Sequence, residues 1–433
     1  MPTLLRLAVR NLLQHKRRTL LLGAAIATVT MLLILLLSLL SGMRATMLRT
    51  ATTLMTGHVN VAGFYKITSG SAAPLVTKYP VLLDMVKKQT PGLKQVTTRV
   101  RGFGKLISDE SSIQSVLSGI LIAEEPAFRE VVELNSGKID DLAGPHTLLV
   151  FEQQAKRLGV KVGDNVTLSA ATFRGVNNTV DLRVVAIAKD LGFLSSFNVF
   201  VHPDSIRELY ELDKNATGVI QIQLKNADEA ENVATFLRKT IGDAGYRIMD
   251  AKPEPFFMKF EPVKREDWTG QKIDITTWQG EASYMRDTLN AVQNLTIAVV
   301  AVLVIIIIVG VMNTLWMAIR ERTKEIGTLR AIGMGKGYVL AMFVTEMAVL
   351  SFSATGTGAL LAVAVALAIN AAHLAVSDSF ALILMSPTLQ LAPNFGIASL
   401  SLLAIAVATT LGALFPAWRA TKLQPVTAMH SSN

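Results

Sequence analysis

The sequence predicts an α-helical membrane protein with four transmembrane helices and a large α+β domain inserted between the first and second of them. Long uncharged apolar runs recur four times along the 433 residues, and 51% of the side chains are hydrophobic. Residues 42–288 contain no such run and are numerous enough to form a separate folded domain. Basic residues concentrate beside the apolar runs, as in proteins that are oriented in a membrane.

The composition excludes several classes of function. The chain has no cysteine, which rules out disulfides, thiol catalysis and thiolate metal sites. Its net charge is +9, but the positive excess lies at residues 1–18, at residues 320–336 and in the C-terminal tail, each beside an apolar run. A nucleic-acid-binding protein would instead cluster its basic residues on one soluble face. We therefore predict membrane lipid, and no nucleic acid, as a partner.

The N-terminal region predicts a retained membrane helix. Residues 1–18 form an amphipathic segment that we place on the cytoplasmic membrane surface. The apolar run at residues 19–41 is longer than the core of a signal peptide, which spans about 7–15 residues. The sequence Ser41-Gly42-Met43-Arg44 is a poor cleavage site. We expect a cytoplasmic N-terminus and a helical continuation over Met43–Leu54.

The predicted inserted domain, residues 42–288, alternates between strand and helix patterns. Strands are predicted at Thr56–Val61, Val96–Ile107, Ile113–Ile122, Asn165–Ala170, Thr179–Ala188, Asn198–Val201 and Val219–Leu224. Helices are predicted at Leu82–Lys88, Glu152–Leu158, Pro203–Leu212 and Asp228–Ile241. We expect an α+β domain of two lobes, with a middle lobe near residues 135–200.

Residues 251–283 are rich in proline, phenylalanine and tryptophan and show little periodicity. One interpretation is a linker that packs on the domain. The alternative is a loop that contacts a partner or lipid near the membrane, because aromatic rings favour the interface.

The remaining apolar runs complete the predicted topology. Transmembrane helices are expected at residues 289–319, 338–373 and 396–416. The loop at 374–395 contains Asp378, Pro387 and Pro393 but neither Lys nor Arg, as expected outside the cytoplasm. With a cytoplasmic tail at 417–433, both termini lie inside a bacterial inner membrane and the large domain lies in the periplasm.

A charged segment, residues 320–337, separates the second and third apolar runs. Ile326, Leu329 and Ile332 recur at near-helical spacing and predict an apolar side. The polar side is predicted to carry Arg322, Lys324, Glu325 and Arg330. This pattern predicts a helix lying flat on the membrane surface. The alternative is a basic loop that only sets the topology.

Little in the sequence predicts catalysis. Gly333, Gly335 and Gly337 do not form a phosphate-binding loop, because no strand precedes them and a membrane helix follows. The six histidines are scattered without metal-ligand spacing. Glu346 is the one acidic residue well inside an apolar run, which makes it a functional candidate. It lies about two turns from the cytoplasmic end, so it can alternatively reach the membrane interface.

The motifs of the chain resemble those of the FtsX/MacB-like permease superfamily of ABC transporters. Met312-Asn313-Thr314 and the following Arg320–Gly333 stretch resemble the superfamily signature, and Pro416–Met429 resembles its closing motif. Within the superfamily, the lipoprotein-releasing permeases (LolC/LolE type) look most similar. This similarity rests on Val116–Ile120, Leu158–Leu168 and Ser196–Leu209.

This resemblance implies a set of partners. Two such permeases pair, as copies or paralogues, and bind two copies of an ABC ATPase, which we expect to be a separate polypeptide and not a domain fused to this chain. ATP and magnesium would bind that ATPase, whereas this chain would bind no cofactor and would be a non-catalytic subunit. The implied coupling helix docks into the ATPase and contains Arg320, Glu321, Arg322, Lys324, Glu325, Ile326, Leu329 and Arg330.

The lipoprotein branch further implies that an acylated protein is extracted from the outer leaflet and passed to a periplasmic carrier. From the topology, we place lipid or substrate contacts at Leu36, Leu40, Met43, Met47, Leu289, Val292 and Leu295. One alternative is a mechanotransmission permease that drives an efflux duct or a cell-wall hydrolase. A second is a membrane receptor with a periplasmic sensor domain. Residues 251–283 match no motif of the lipoprotein branch, so the substrate stays open.

Overall fold

The computed structural model describes residues 2–172, 175–377, 380–381, 384, 386 and 388–422. Asp378, Pro387 and the end of the predicted tail, residues 423–433, lie outside the described residues. The chain divides into two compact units. The membrane unit comprises the described residues up to Ala45, Leu289–Leu374 and the described residues from Leu389. The inserted unit comprises Thr46–Thr288 and the described part of Ala375–Thr388.

Among the described residues, four helices are long and apolar enough to cross a membrane, which confirms the predicted number. These helices, M1 to M4, span Lys16–Leu54, Ser283–Glu321, Lys336–Ala371 and Phe395–Ala420. A separate helix, Pro2–Gln14, precedes M1, and a short helix, Thr323–Ala331, lies between M2 and M3. M1 continues to Leu54, as predicted. M1 and M2 each have 39 residues, nearly twice the roughly 20 that cross a bilayer.

The core of the membrane unit is built from apolar side chains of all four helices and includes Ile26, Val311, Phe343 and Ala413. Small residues between Ser351 and Gly358, in the middle of M3, allow close helix approach. A Cβ atom on Gly358 would overlap the backbone oxygen of Ala27 in M1. Ser351 of M3 also accepts a 2.8 Å hydrogen bond from Thr409 of M4, and both residues are fully buried.

The inserted unit contains ten strands among its described residues. Strands β1 to β10 span Val59–Lys66, Leu93–Ile107, Ser112–Gly119, Leu134–Gly137, Thr147–Phe151, Asn165–Ala171, Asn177–Ala188, Asn198–Val201, Val219–Leu224 and Gly270–Thr277. Its α-helices include Tyr79–Gln89, Pro126–Val131, Glu152–Leu158, Gly192–Ser195, Pro203–Tyr210, Ala230–Asp243, Phe256–Arg265 and Trp278–Glu281. Short 3₁₀ turns occupy Ile122–Glu124, Ile139–Ala143 and Ala227–Glu229. The α+β class of this domain is as predicted.

The strands follow the order β10-β1-β9-β2-β3-β8-β5-β7-β4, and β6 pairs with β2 and β7. The long strand β2 divides the sheet into two lobes. Its first part, up to Arg99, pairs with β9, whereas its second part, from Val100, pairs with β3. Each lobe has its own hydrophobic core, one around Val61 and Leu237 and the other around Leu117.

The two-lobe division was predicted, but the predicted limits of the middle lobe, residues 135–200, are too narrow. The core of that lobe extends from Val100 to Tyr210. Strand β5 was not predicted from the sequence, because its five residues are all buried and therefore show no alternation. Strand β4, whose residues are mostly exposed and include Gly137, was not predicted either.

Most of residues 251–283 form regular structure, namely the helix Phe256–Arg265, strand β10 and the helix Trp278–Glu281. The segment packs on the domain, as one interpretation predicted, but it is part of the sheet and not only a linker. Strand β10 pairs with β1 over the full length of β1. In the helix Phe256–Arg265, Lys259 forms a buried 2.8 Å ion pair with Asp274 of β10. Lys66 of β1 donates a 2.8 Å hydrogen bond to the carbonyl of Val263 near the end of that helix. Polar side chains that face inward on β10 hide the strand pattern from sequence analysis.

Candidate functional site

The candidate site is the short helix Thr323–Ala331 together with the helix ends around it. M2 ends at Glu321, and the backbone of Arg322 leaves the helical conformation (φ −101°, ψ 14°). The short helix ends before Gly333, whose φ of +103° favours a residue without a Cβ atom. The predicted helix between M2 and M3 therefore exists, and a bend at Arg322 separates it from M2.

One side of the short helix is buried in the membrane unit. Ile326 is 1% exposed, and Gly327 is also buried. Leu329 is half-buried. The placement of Ile326 and Leu329 on an inward side was predicted correctly, whereas Ile332 is 80% exposed, so its predicted place on the apolar side is wrong. The turn of chain after Ala331 carries Ile332 away from the helix face.

Arg322 does not lie on the exposed polar side that the sequence predicts. Its Nη1 atom lies 3.0 Å from Oε2 of Glu346 in M3, and each side chain is only 6% exposed. Burial of two opposite charges is tolerated because each compensates the other; removal of one leaves an uncompensated charge. The structure thus brings together two candidate residues that the sequence analysis treated separately.

A second arginine extends this ion pair to M1. Arg18 Nη2 lies 3.9 Å from Oε1 of Glu346, and Arg18 Nη1 lies 3.1 Å from Oε2 of Glu321. Glu346 therefore lies between two arginines from different parts of the chain. These contacts connect M1, the end of M2, the bend at Arg322 and M3. We call Arg18, Glu321, Arg322 and Glu346 the ion cluster.

The far end of the short helix is also held. Arg330 Nη1 donates a 3.1 Å hydrogen bond to the backbone oxygen of Thr421, just beyond M4. Nearby, the guanidinium of Arg419 lies 5.4 Å from the ring centroid of Trp316, a distance at which a cation–π contact is favourable. The short helix is therefore fixed to the membrane helices at both of its ends.

The opposite side of the short helix faces solvent. Lys324 and Glu325 are exposed, as are Arg320 and Glu321 at the end of M2. We call the exposed residues Arg320, Glu321, Lys324, Glu325, Thr328 and Ile332 the exposed face. Its charges alternate in sign, and Ile332 adds an apolar contact point. Such a surface is suited to recognition of a partner with complementary charge.

The candidate lipid-contact residues differ in their exposure. Met43 and Met47 are buried within the chain, so their predicted availability to lipid is wrong. Leu295 is 66% exposed. The other four candidates, Leu36, Leu40, Leu289 and Val292, are half-buried. Leu295 belongs to a longer exposed apolar row on M2, whose other members, Val302, Ile306 and Val309, were not singled out in the sequence.

The described residues contain no group of three or more His, Cys, Asp or Glu side chains placed to hold a metal ion. The inserted unit does contain a cavity of about 590 Å³, lined by aromatic residues that include Tyr65, Phe103 and Phe260. This cavity lies between parts of the two lobes and was not predicted from the sequence.

Two families match successive parts of the chain. Residues 19–240 match the MacB-like periplasmic core domain. Residues 297–425 match the FtsX-like permease C-terminal domain. The first range includes most of M1 and most of the inserted unit, and the second includes the short helix.

Individual relatives are distant. An uncharacterized ABC transporter permease from Methanocaldococcus jannaschii is 23% identical over 212 residues, which cover 49% of this chain and 45% of that protein. The lipoprotein-releasing system transmembrane protein LolC from Xylella fastidiosa is 22% identical over 363 residues, or 78% of this chain and 79% of LolC. The periplasmic region of MacB from Actinobacillus actinomycetemcomitans aligns with a TM-score of 0.29 and 12% identity, covering 53% of this chain and 92% of that structure. Alignments with the first curated relatives span about half of those proteins' length or less.

Proposed function

Because this chain belongs to the FtsX/MacB-like permease superfamily of ABC transporters, we propose that it couples ATP hydrolysis by a separate ATPase to movement of its inserted domain. In this proposal the chain is a non-catalytic membrane subunit. Two permeases, as copies or paralogues, pair with two ATPase subunits, which bind ATP and magnesium. The membrane is the bacterial inner membrane, with the inserted domain in the periplasm and both termini in the cytoplasm.

The observation that carries the proposal is the exposed face of the short helix. Its charged residues, among them Lys324 and Glu325, point away from the membrane unit. The opposite side is fixed by the buried pair Arg322–Glu346 and by the contact of Arg330 with Thr421. A helix that is fixed at both ends can transmit a displacement from a bound ATPase to the membrane helices without itself bending.

M1 and M2 are the proposed route from the ATPase to the inserted domain. Each has 39 residues, which corresponds to a helix of about 58 Å at a rise of about 1.5 Å per residue. Arg18 near the start of M1 contacts Glu321 at the end of M2. A displacement of the short helix would therefore reach both of the helices that lead into the inserted domain.

We further propose that the transported substrate is a lipoprotein, which is extracted from the membrane and passed to a periplasmic carrier. The match to LolC supports this choice because it extends over most of both chains. Exposed apolar residues on M2, such as Leu295 and Ile306, offer a surface for acyl chains. Leu36, Leu40, Leu289 and Val292 remain proposed contacts at the same end of M1 and M2.

A second candidate is a mechanotransmission permease, in which no substrate passes along M1 to M4. The length of M1 and M2 supports mechanotransmission as well as it supports lipoprotein extraction. Both helices extend well beyond the roughly 20 residues that span a bilayer. In that case the moving domain would act on an efflux duct or on a cell-wall hydrolase.

Mass spectrometry of the gently solubilised, tagged complex distinguishes the two candidates. An acylated protein that is retained without nucleotide and released by ATP is expected for lipoprotein extraction. Release should fail in a complex whose ATPase binds but does not hydrolyse ATP. An active ATPase complex without any acylated protein would contradict lipoprotein extraction and favour mechanotransmission.

A further inference from the structure

The last turn of M1 ends in the inserted unit, where its carbonyl groups need partners. The final four C=O groups of a helix have no N–H donor within the helix itself. Arg99 of β2 meets two of them, because its guanidinium donates 2.6 Å and 2.8 Å hydrogen bonds to the carbonyls of Thr53 and Leu54. The end of M1 is therefore bound directly by a side chain of the sheet.

Strand β9 supplies the donors for the neighbouring carbonyls. Gln223 donates a 2.7 Å hydrogen bond to the carbonyl of Thr52, and Gln221 donates a 3.0 Å hydrogen bond to that of Met55. Four consecutive carbonyls, from Thr52 to Met55, thus each accept a hydrogen bond from the sheet. Arg101 of β2 also donates a 3.3 Å hydrogen bond to the carbonyl of Met55, so Arg99 provides two of these five hydrogen bonds.

The same guanidinium binds Glu125 in a two-point ion pair. Nε of Arg99 lies 2.7 Å from one carboxylate oxygen, and Nη2 lies 2.9 Å from the other. The two side chains are 2% and 6% exposed. A planar guanidinium and a carboxylate match each other in this geometry, which fixes orientation as well as distance. Glu125 in turn begins the helix Pro126–Val131.

The position of Arg99 in β2 connects these contacts to both lobes. Arg99 is the last residue of β2 that pairs with β9, opposite Val219. The next residue, Val100, is the first that pairs with β3, opposite Gly119. Arg99 therefore lies where the chain passes from one lobe to the other. Its side chain meets the end of M1, and Glu125 continues the contact toward the second lobe.

We propose that Arg99 and Glu125 are a positioning pair that transmits displacement of M1 to both lobes of the inserted domain at once. The inference rests on the proposed function, in which M1 moves when the ATPase acts. Without the pair, the backbone after Leu54 still connects M1 to β1 in the first lobe. The second lobe, however, would lose its buried ion pair at the end of M1 and would retain weaker links, such as the exposed Arg49–Glu130 pair and the 3.3 Å hydrogen bond from Arg101 to the carbonyl of Met55.

The pair can be removed without leaving a buried charge. Substitution of only one partner would strand the other charge in the interior, and the domain can then fail to fold. Replacement of both by apolar residues of similar size is tolerated far better, so the test uses Arg99→Met with Glu125→Met. Arg99→Lys keeps the charge but lacks the planar fork, and it tests whether orientation matters.

A matched control is an exposed ion pair between M1 and the helix that follows Glu125. Arg49 of M1 and Glu130 of the helix Pro126–Val131 form a 3.0 Å pair, but their side chains are 62% and 68% exposed. Exposed pairs contribute little to stability or orientation. Arg49→Met with Glu130→Met therefore removes a contact between M1 and the helix Pro126–Val131 without removing the Arg99–Glu125 pair.

The experiment measures distances by pulsed electron paramagnetic resonance in the full chain with its ATPase. Because the sequence has no cysteine, spin labels attach only at introduced sites, here Ala45→Cys on M1 and Lys189→Cys in the second lobe. Without nucleotide, we expect a widened distance distribution in the Arg99→Met, Glu125→Met protein. The Arg49→Met, Glu130→Met control should match the wild type, and Arg99→Lys should also be widened.

Unchanged widths in the Arg99→Met, Glu125→Met protein would overturn the positioning pair, provided that its thermal unfolding shows a folded domain. A role in stability alone would lower the unfolding temperature but leave the distance distribution of the folded protein unchanged. Failure of the proposed function has a different signature. In that case ATP would leave the distances in the wild-type complex unchanged, whatever the double substitution does without nucleotide.

Discussion

The guanidinium of Arg322 lies 3.0 Å from the carboxylate of Glu346, and solvent reaches little of either side chain. The two residues are 24 positions apart, with the whole short helix and the start of M3 between them. Their contact fixes the bend between M2 and the short helix against M3. The orientation of the exposed face therefore depends on a pair that is buried within the chain.

Removal of one member of this pair should destabilise the membrane unit. Glu346→Gln leaves the charge of Arg322 without its nearest partner, and we expect a loss of about 3 kcal/mol in the free energy of unfolding. Unfolding in detergent micelles, followed by circular dichroism, measures this loss. Glu325→Gln, on the exposed face, should change stability by less than about 0.5 kcal/mol. Equal effects of the two substitutions would mean that the buried pair does not hold the bend.

Reversal of charge on the exposed face should weaken ATPase binding and spare the fold. We expect Lys324→Glu combined with Glu325→Lys to reduce affinity for the ATPase at least about tenfold, which corresponds to about 1.4 kcal/mol. Binding of the purified ATPase to the permease in nanodiscs provides the measurement. The control is Lys87→Glu, an exposed change in the inserted unit. Wild-type affinity in the Lys324/Glu325 variant would argue against docking at this face.

Close approach between M1 and M3 should depend on Gly358. A methyl group there would overlap the backbone oxygen of Ala27, so Gly358→Ala should lower the thermal stability of the membrane unit. Gly356→Ala is the matched control, because among the described residues no atom beyond the adjoining turns of its own helix lies within 4 Å of the added Cβ. It should preserve stability or raise it slightly, since alanine is the better helix former. Equal losses for both variants would contradict the close packing of M1 and M3.

The stability of the inserted domain should fall as the pH falls below about 6.5 because of His58. Burial lowers the pKa of His58 from its usual value of 6.5, and the positive charge of Lys94 adds to the effect. Its Nδ1 accepts a 3.0 Å hydrogen bond from the backbone N–H of Leu224, which a protonated nitrogen could not do. The unfolded chain therefore binds the proton more readily than the folded one between the lowered pKa and 6.5.

The pH dependence is measured from thermal unfolding of the full chain between pH 7.5 and about pH 5. His58→Gln should reduce the loss of stability over this window, although it lowers stability at neutral pH. A loss of the same size in wild type and His58→Gln would assign the pH dependence to other groups.

The sequence analysis predicted the features that depend on local pattern. Four apolar runs gave the four membrane helices, and the helix Glu152–Leu158 and the strand Asn198–Val201 have the predicted limits. Burial of a helix or strand on one face produces a regular spacing of apolar residues, which is visible without any structure. Strand β5 shows no alternation of apolar and polar residues, because its residues are all buried, and it was therefore not predicted.

The candidate site was predicted only in part, because its central contacts join distant parts of the chain. Arg322 and Glu346 are charged residues, which sequence patterns ordinarily place in solvent, and neither reveals its partner. Arg99 and Glu125 were missed for the same reason. Met43 and Met47 follow an apolar pattern, but this pattern does not distinguish a side that faces lipid from one buried within the chain.

The most direct test of the proposed function is to purify the wild-type chain in mild detergent and identify the ATPase that accompanies it. We predict that a separate ABC ATPase co-purifies, that the complex hydrolyses ATP, and that the combined Lys324→Glu and Glu325→Lys substitutions release the ATPase. A folded wild-type chain that retains no ATPase under conditions that preserve other ABC complexes would contradict the proposal. The exposed face of the short helix would then have no established partner.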